Sequence, residues 1–158
     1  MSLLDFFTWC EASSIGEAIR ASKWLFPFIE CFHLLALAIL GGAVLIVNLR
    51  LIGLGVTSAP VAQLWRDALP FLKMSTAVAI ASGLLLFTSE ATKLYYHEAF
   101  WVKMISLLLA VLFTFTVQKR TALADEAMAG SIQPKLVAIV SLIFWTGVGI
   151  GGRWIGFS

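Results

Sequence analysis

Apolar residues in this chain gather in long unbroken blocks, and the charged residues sit at the edges of those blocks. Four blocks stand out, Phe26–Arg50, Pro70–Lys93, Ala99–Lys119 and Lys135–Phe157. Each reaches the length of about 20 residues that a helix needs to cross the hydrocarbon of a bilayer. Pro27 and Pro70 stand near two of the helix starts, where a missing N–H costs nothing. Gly130 follows the third block, and Ser131 with Pro134 introduces the fourth. The pattern predicts an all-α integral membrane four-helix bundle, a single membrane domain over residues 1–158.

The intervening segments are short. Residues 1–22 mix Leu3, Leu4, Phe6, Phe7, Trp9, Ile15 and Ile19 with Asp5, Glu11, Glu17 and Arg20. They read as one or two interfacial helices with apolar side chains in lipid, and Ser14 with Glu17 has capping-box spacing. Residues Ser58 to Asp67 read as another short interfacial helix capped by Ser58. The connection at 94–98 is tight, which predicts that the second and third spans are antiparallel neighbours. The first residues lack the basic stretch of a secretory signal, so the first span is expected to serve as the insertion signal.

Composition strengthens the membrane reading. The chain is 60% hydrophobic and 13% charged, with a mean hydropathy of +0.94; soluble domains carry about 25% charged residues. A net charge of +2 and no basic run beyond Lys119–Arg120 exclude a nucleic-acid footprint. Walker A, Gly-x-Ser-x-Gly and His-Glu-x-x-His patterns are absent, which leaves no signature of phosphoryl transfer or hydrolysis.

Four crossings place both termini on one side, here called side A. Side B carries Arg50, Arg66, Lys119, Arg120 and Lys135, and side A carries Arg20, Lys23, Lys93 and Arg153. The positive-inside rule then predicts a multi-pass membrane protein with both termini facing the periplasm or outside.

Ionisable groups inside spans are expensive and mark functional sites by default. At about 1.5 Å rise per residue, Glu30 lies roughly 5 Å and His33 about 9 Å below side A. Lys103 lies near 6 Å on the same scale. Glu90 and Arg153 fall at the same level of the second and fourth spans, whereas the side-B half holds only Lys73, near enough to its end to snorkel. Glu30, His33, Leu37 and Gly41 share one helix face, Lys103, Ser106, Ala110 and Thr114 another. Gly147 and Gly151 have small-xxx-small spacing, which permits close helix packing or a flat ligand. An entirely structural use of the same residues is available, with Glu30 and Glu90 pairing with Lys103 and Arg153.

A neutral imidazole in a bundle suits an axial ligand for haem iron. His33 is the candidate ligand, and Arg153 and Lys103 are candidate propionate partners. Lys103, Met104 or His97 are candidates for the sixth position, and His97 requires its loop to dip inward. Copper is served less well, because Cys31 and His33 are two apart and diverge by about 160–200° around an ideal helix.

The stretch from Trp24 to Gly42, with Glu30, Cys31 and His33 in it, together with Phe100-Trp-Val-Lys103 and Gly152-Arg-Trp-Ile-Gly-Phe157, resembles a family of small, uncharacterised bacterial four-helix membrane proteins. More distantly it is similar to copper-resistance-D-like membrane domains and to the bacterial four-helix protoporphyrinogen oxidase. They share a first-helix His followed by Leu and small residues, and an aromatic-x-Lys opening of the third helix. The resemblance to the oxidase implies haem b bound near His33 and Lys103.

Three functions follow as expectations. The first is a haem b protein passing electrons to or from a quinone or a periplasmic redox protein, with Glu30 tuning the charge. The second is a cofactor-free anchor subunit whose N-terminal helix docks a larger complex, and either could work as a homo-oligomer. The third is copper handling.

Overall fold

A computed structural model of the chain describes residues 2–55, 58–124 and 131–156. Helices α1 (Leu3–Glu11) and α2 (Ser14–Ala21) precede α3 (Leu25–Ile52) and α4 (Val61–Tyr95). Then α5 (Glu98–Phe113) runs through a π-helical turn, Thr114–Gln118, into α6 (Lys119–Leu123), and α7 (Gln133–Ile155) follows. Among the described residues, α3, α4, the continuous α5–α6 rod and α7 are long and apolar enough to span a bilayer. The chain is a multi-pass membrane protein built as an all-α bundle.

Local chemistry explains where the helices begin and end. A capping box opens α1, the Ser2 hydroxyl accepting from the Asp5 N–H at 3.1 Å while the Asp5 carboxylate accepts from the Ser2 N–H at 2.7 Å. The capping box expected at Ser14 and Glu17 is not formed; Ser13 caps α2, accepting from Gly16 N–H at 3.2 Å. Helix α3 closes on Gly53, whose φ of 95° is the left-handed conformation that glycine adopts without strain. Pro27 lies in the first turn of α3 and Pro134 at the start of α7, as their missing N–H groups require.

The second span differs from expectation. Its helix begins at Val61 behind Pro60, and Pro70 lies inside it. Val61, Trp65 and Leu72 form one buried stripe that continues across Pro70, so packing carries the helix through a residue that would otherwise end it. Ser58–Asp67 is therefore no separate interfacial helix. The glycine expected to stop the third span, Gly130, and the expected end of the fourth at Phe157 lie outside the described residues.

Two cores divide the bundle. Towards side B, Leu40, Val44, Val47 and Leu51 pack with Val61, Trp65, Leu72, Ala122 and Ala138. Towards side A, Phe7 and Cys10 of α1 pack with Ala91 and Phe100, joined by Phe87, Tyr95 and Trp101. Helices α3 with α4 and α5 with α7 make the extensive pairings, and α3 also packs on α7. Although consecutive, α4 and α5 make few contacts along their lengths, and α4 packs on the rod chiefly near its α6 end; the tight turn joins their ends without bringing their lengths together. Outward residues such as Val102, Ile105, Leu108 and Leu112 are more than half exposed, as a lipid-facing surface must be.

The N-terminal hairpin turns one apolar face to protein rather than to lipid. Phe7, Cys10 and Ile19 are buried while Leu3, Trp9 and Ile15 remain more than half exposed. Its docking point is a break in α4 at Glu90 (φ −139°, ψ 31°). The Arg20 guanidinium donates to Ser89 O at 3.2 Å, Thr88 O at 3.4 Å and Glu11 O at 2.8 Å. The Thr92 N–H, two residues past the break, donates to the Glu11 carboxylate. Unpaired backbone groups are costly beside a membrane, and these two side chains satisfy them. Gly16 is required here, because a Cβ would run into Thr88 O and Glu11 O.

The hydrogen bond from Thr92, joined by the Arg20 charge, holds the Glu11 carboxyl below the ordinary carboxylate range. A depressed folded-state value stabilises docking above the unfolded value, and that contribution disappears as pH falls through the folded one. Protection of the Thr92 amide from hydrogen exchange, corrected for intrinsic rate, is expected to fall as pH drops below about 4.3, the ordinary glutamate value, and on through the lower folded one. Glu11→Gln should abolish that pH dependence.

Candidate functional site

The inward face of α3 reads His33, Ala36, Leu40, Val44, Val47 and Leu51, all buried. The spacing of three and four places them on one stripe, so Leu37 and Gly41 fall to its side; a Cβ on Gly41 would meet nothing within 4 Å. His33 is 9% exposed, deep for a polar residue facing a bundle interior. Its Nδ1 lies 2.9 Å from the Ser82 Oγ on α4. The Ser82 hydroxyl also lies 2.6 Å from Val78 O and 3.3 Å from Ala79 O. A hydroxyl has one proton. With that proton on Val78 O, Ser82 accepts from His33, which places the imidazole proton on Nδ1 and leaves a lone pair on Nε2. Gly83 gives the ring room: a Cβ there would stand 3.2 Å from His33 Cε1.

Lys103 enters the same layer from α5. A Cβ on Gly151 would lie 2.9 Å from the Lys103 Cβ, and one on Gly152 would lie 3.7 Å from its Nζ. The lysine stem therefore runs along bare α7 backbone. One turn further down, Ser106 faces Gly147 in the same way, so the small-residue spacing of α7 serves close packing against α5. Among the described residues no carboxylate pairs with the Lys103 ammonium. A half-buried lysine in a span without a counter-ion is a site for an anionic or electron-rich group.

Other residues expected in the layer stand apart. Glu30 and Glu90 are exposed, and neither pairs with Lys103. Arg153 is exposed beside a surface groove of about 500 Å³ shared with Gly149, Ile150 and Trp154. His97 precedes α5 and lines an adjoining groove of about 430 Å³ with Ala99, Val102, Ile150, Gly151 and Trp154; His33 is not part of that groove. Cys31 is exposed and Cys10 buried, and among the described residues no cluster of three His, Cys, Asp or Glu side chains suits a metal ion.

The side-B half, where the sequence counts Lys73 alone among ionisable groups, contains a closed polar ring. Asn48 Nδ2 donates to Val44 O at 3.0 Å and to Ser141 Oγ at 3.1 Å. Ser141 donates to Gln118 Oε1 at 3.2 Å, and Gln118 Nε2 returns to Asn48 Oδ1 at 3.0 Å. Beside it Trp145 Nε1 donates to Thr114 Oγ1 at 3.0 Å. Asn48 and Gln118 are wholly buried, and the π turn brings Gln118 into the ring. Counting ionisable groups passes over neutral amides; a lone Asn in an otherwise apolar span was the available signal.

The fold and this layer define a four-helix integral membrane protein with one imidazole and one unpaired lysine held at the same level between its helices. Residues 6–158 match the model of a family of unknown function, DUF6644, and the chain belongs to that family. No curated protein and no solved structure matches it.

Proposed function

We propose that the protein binds haem b in the His33–Lys103 layer and passes electrons between that haem and a quinone or a periplasmic redox protein. In this reading it sits in the bacterial inner membrane with side A, and both termini, towards the periplasm. The observation that carries the reading is the pinned imidazole. Iron-ligating histidines donate their second ring N–H to an oxygen that fixes tautomer and orientation, and His33 has that partner in Ser82.

The remaining residues fit the group. Lys103, lying along Gly151 and Gly152 without a carboxylate partner, offers a charge for a propionate or, deprotonated, a further nitrogen ligand. Arg153 follows Gly152 at the side-A end of α7 and supplies a second cation at that end. Glu30, exposed on α3 near His33, contributes a negative charge to the same end. His97, outside the His33 surroundings, is the weakest candidate for a ligand. Haem supplies one-electron chemistry when bound; the chain's own residues bind it, hold its proton-bearing ligand in one tautomer and keep the layer away from bulk water.

A reduced-minus-oxidised visible spectrum of the detergent-purified protein is expected to show the bands of a b-type haem. A spectrum without them, in protein purified after growth with ample haem, contradicts the proposal. A haem-free protein still recovered in a larger complex would favour the anchor-subunit reading.

A further inference from the structure

The His33–Lys103 layer has a roof. Gly83 and Phe87 share a face of α4, four residues apart, and Phe100 and Lys103 share a face of α5, three apart. Phe87 and Phe100 stack with centroids 5.9 Å apart and planes at 17°, so one aromatic pair closes the gap between α4 and α5 one turn above the site. Phe7 of α1 completes the closure, with ring centroids 5.0 Å from Phe87, 5.3 Å from Tyr95, 5.8 Å from Trp101 and 6.0 Å from Phe100.

Phe7 belongs to a hairpin held in a manner unlike that of the spans. Its polar ties to α4 converge on the break at Glu90, through the Arg20 fork and the Glu11 carboxylate. Its opposite face carries Leu3, Trp9 and Ile15, which suits lying on a membrane surface. Ser22, with extended backbone between α2 and α3 (φ −102°, ψ 123°), is where the hairpin would pivot. A hairpin with one face for protein and another for membrane has two places to rest.

We propose that α1–α2 is a latched lid: it closes the His33–Lys103 layer from side A, and release of Arg20 and Glu11 from the α4 break opens that layer to a flat amphipathic ligand. The identity of the ligand rests on the haem reading; the lid does not. Lids of this kind come from the less stable parts of a fold, and here three hydrogen bonds at the α4 break, one exposed and two part-buried, latch the hairpin.

The test places one thiol in the layer. In protein with Cys10→Ser and Cys31→Ser, reconstituted in lipid nanodiscs, His33→Cys is reacted with a membrane-impermeant sulfonated maleimide. Reaction is expected to be slow with the hairpin intact. It should be at least tenfold faster with Arg20→Ala, which removes all three charge-assisted hydrogen bonds of the guanidinium, one of which alone is worth about that factor. Gly16→Val, which wedges the hairpin off Thr88, should act in the same direction. Ser106→Cys serves as the reporter where His33→Cys does not fold. An unchanged rate in both latch variants overturns the lid. Haemin added to otherwise unaltered Arg20→Ala protein should bind faster than to wild type and reach the same absorbance. If no variant binds haemin while the thiol reacts faster, the lid stands and the haem reading falls.

Discussion

Replacing His33 with alanine is expected to remove the haem bands of the purified protein altogether, whereas Ser82→Ala should keep them at reduced affinity. The two outcomes separate ligand from support. His33 presents the one imidazole buried between the spans, and without its Nε2 no equivalent donor faces the layer. Ser82 touches only the far side of the ring, so its loss frees the tautomer and the ring angle while leaving the ligand atom in place. Partners of this kind change metal affinity by about 10–100-fold, and titration of the apoprotein with haemin reads that factor. Lys103→Met should retain bound haem with altered bands or potential, because the lysine offers charge or a further ligand. Glu30→Gln, at an exposed position, should alter the potential slightly and binding not at all. A His33→Ala protein with an unchanged spectrum would remove the basis of the proposed function.

Asn48→Leu is expected to be the most destabilising substitution away from the site. It deletes three hydrogen bonds and leaves the Gln118 Nε2 donor without its acceptor in a buried core, while Ser141 keeps its bond to Gln118 Oε1. An orphaned buried polar group costs about 1–3 kcal/mol, although interhelical hydrogen bonds in membranes average only about 0.6 kcal/mol. A loss of about 2–3 kcal/mol in denaturant unfolding from micelles follows from combining the two. The triple variant Asn48→Leu, Gln118→Leu, Ser141→Ala should recover most of it, because apolar groups replacing a whole network leave nothing unsatisfied. Equal instability of the single and triple variants would mean that volume, rather than polar satisfaction, sets the effect.

The spans were legible because lipid imposes a length and a polarity that few residues evade. Depth was legible for the same reason: helical rise places His33 and Lys103 at one level, and the structure puts both into the layer. Azimuth was not. Glu30, Glu90 and Arg153 share that level but point outward, and rise along an axis says nothing of direction around it until a neighbouring helix is known. The tight 94–98 turn suggested a packed helix pair, yet a turn constrains only the ends it joins. The aromatic cluster around Phe7 fills the corner, and the lengths of α4 and α5 diverge below it. The apolar face of residues 1–22 could not be assigned from composition, since lipid and the flank of α4 select the same side chains. Arg20 and Glu11 looked like ordinary interfacial charges; their use depends on the break at Glu90, which no residue type at that position announces.

The π turn at Thr114–Gln118 has a consequence for how this chain tolerates change in length. Adding one residue to a helix rotates everything beyond it by about 100°, and a π turn absorbs such an addition locally. Upstream of it the rod presents Lys103 and Ser106 to the α7 glycines; downstream it presents Gln118, Thr121 and Ala122 to the side-B interior. Two ends of one rod thus follow different phases, and the wide turn is the phase correction between them. A chain shortened by one residue in this turn would keep its hydropathy and its span, and still send its lower half to the wrong partners.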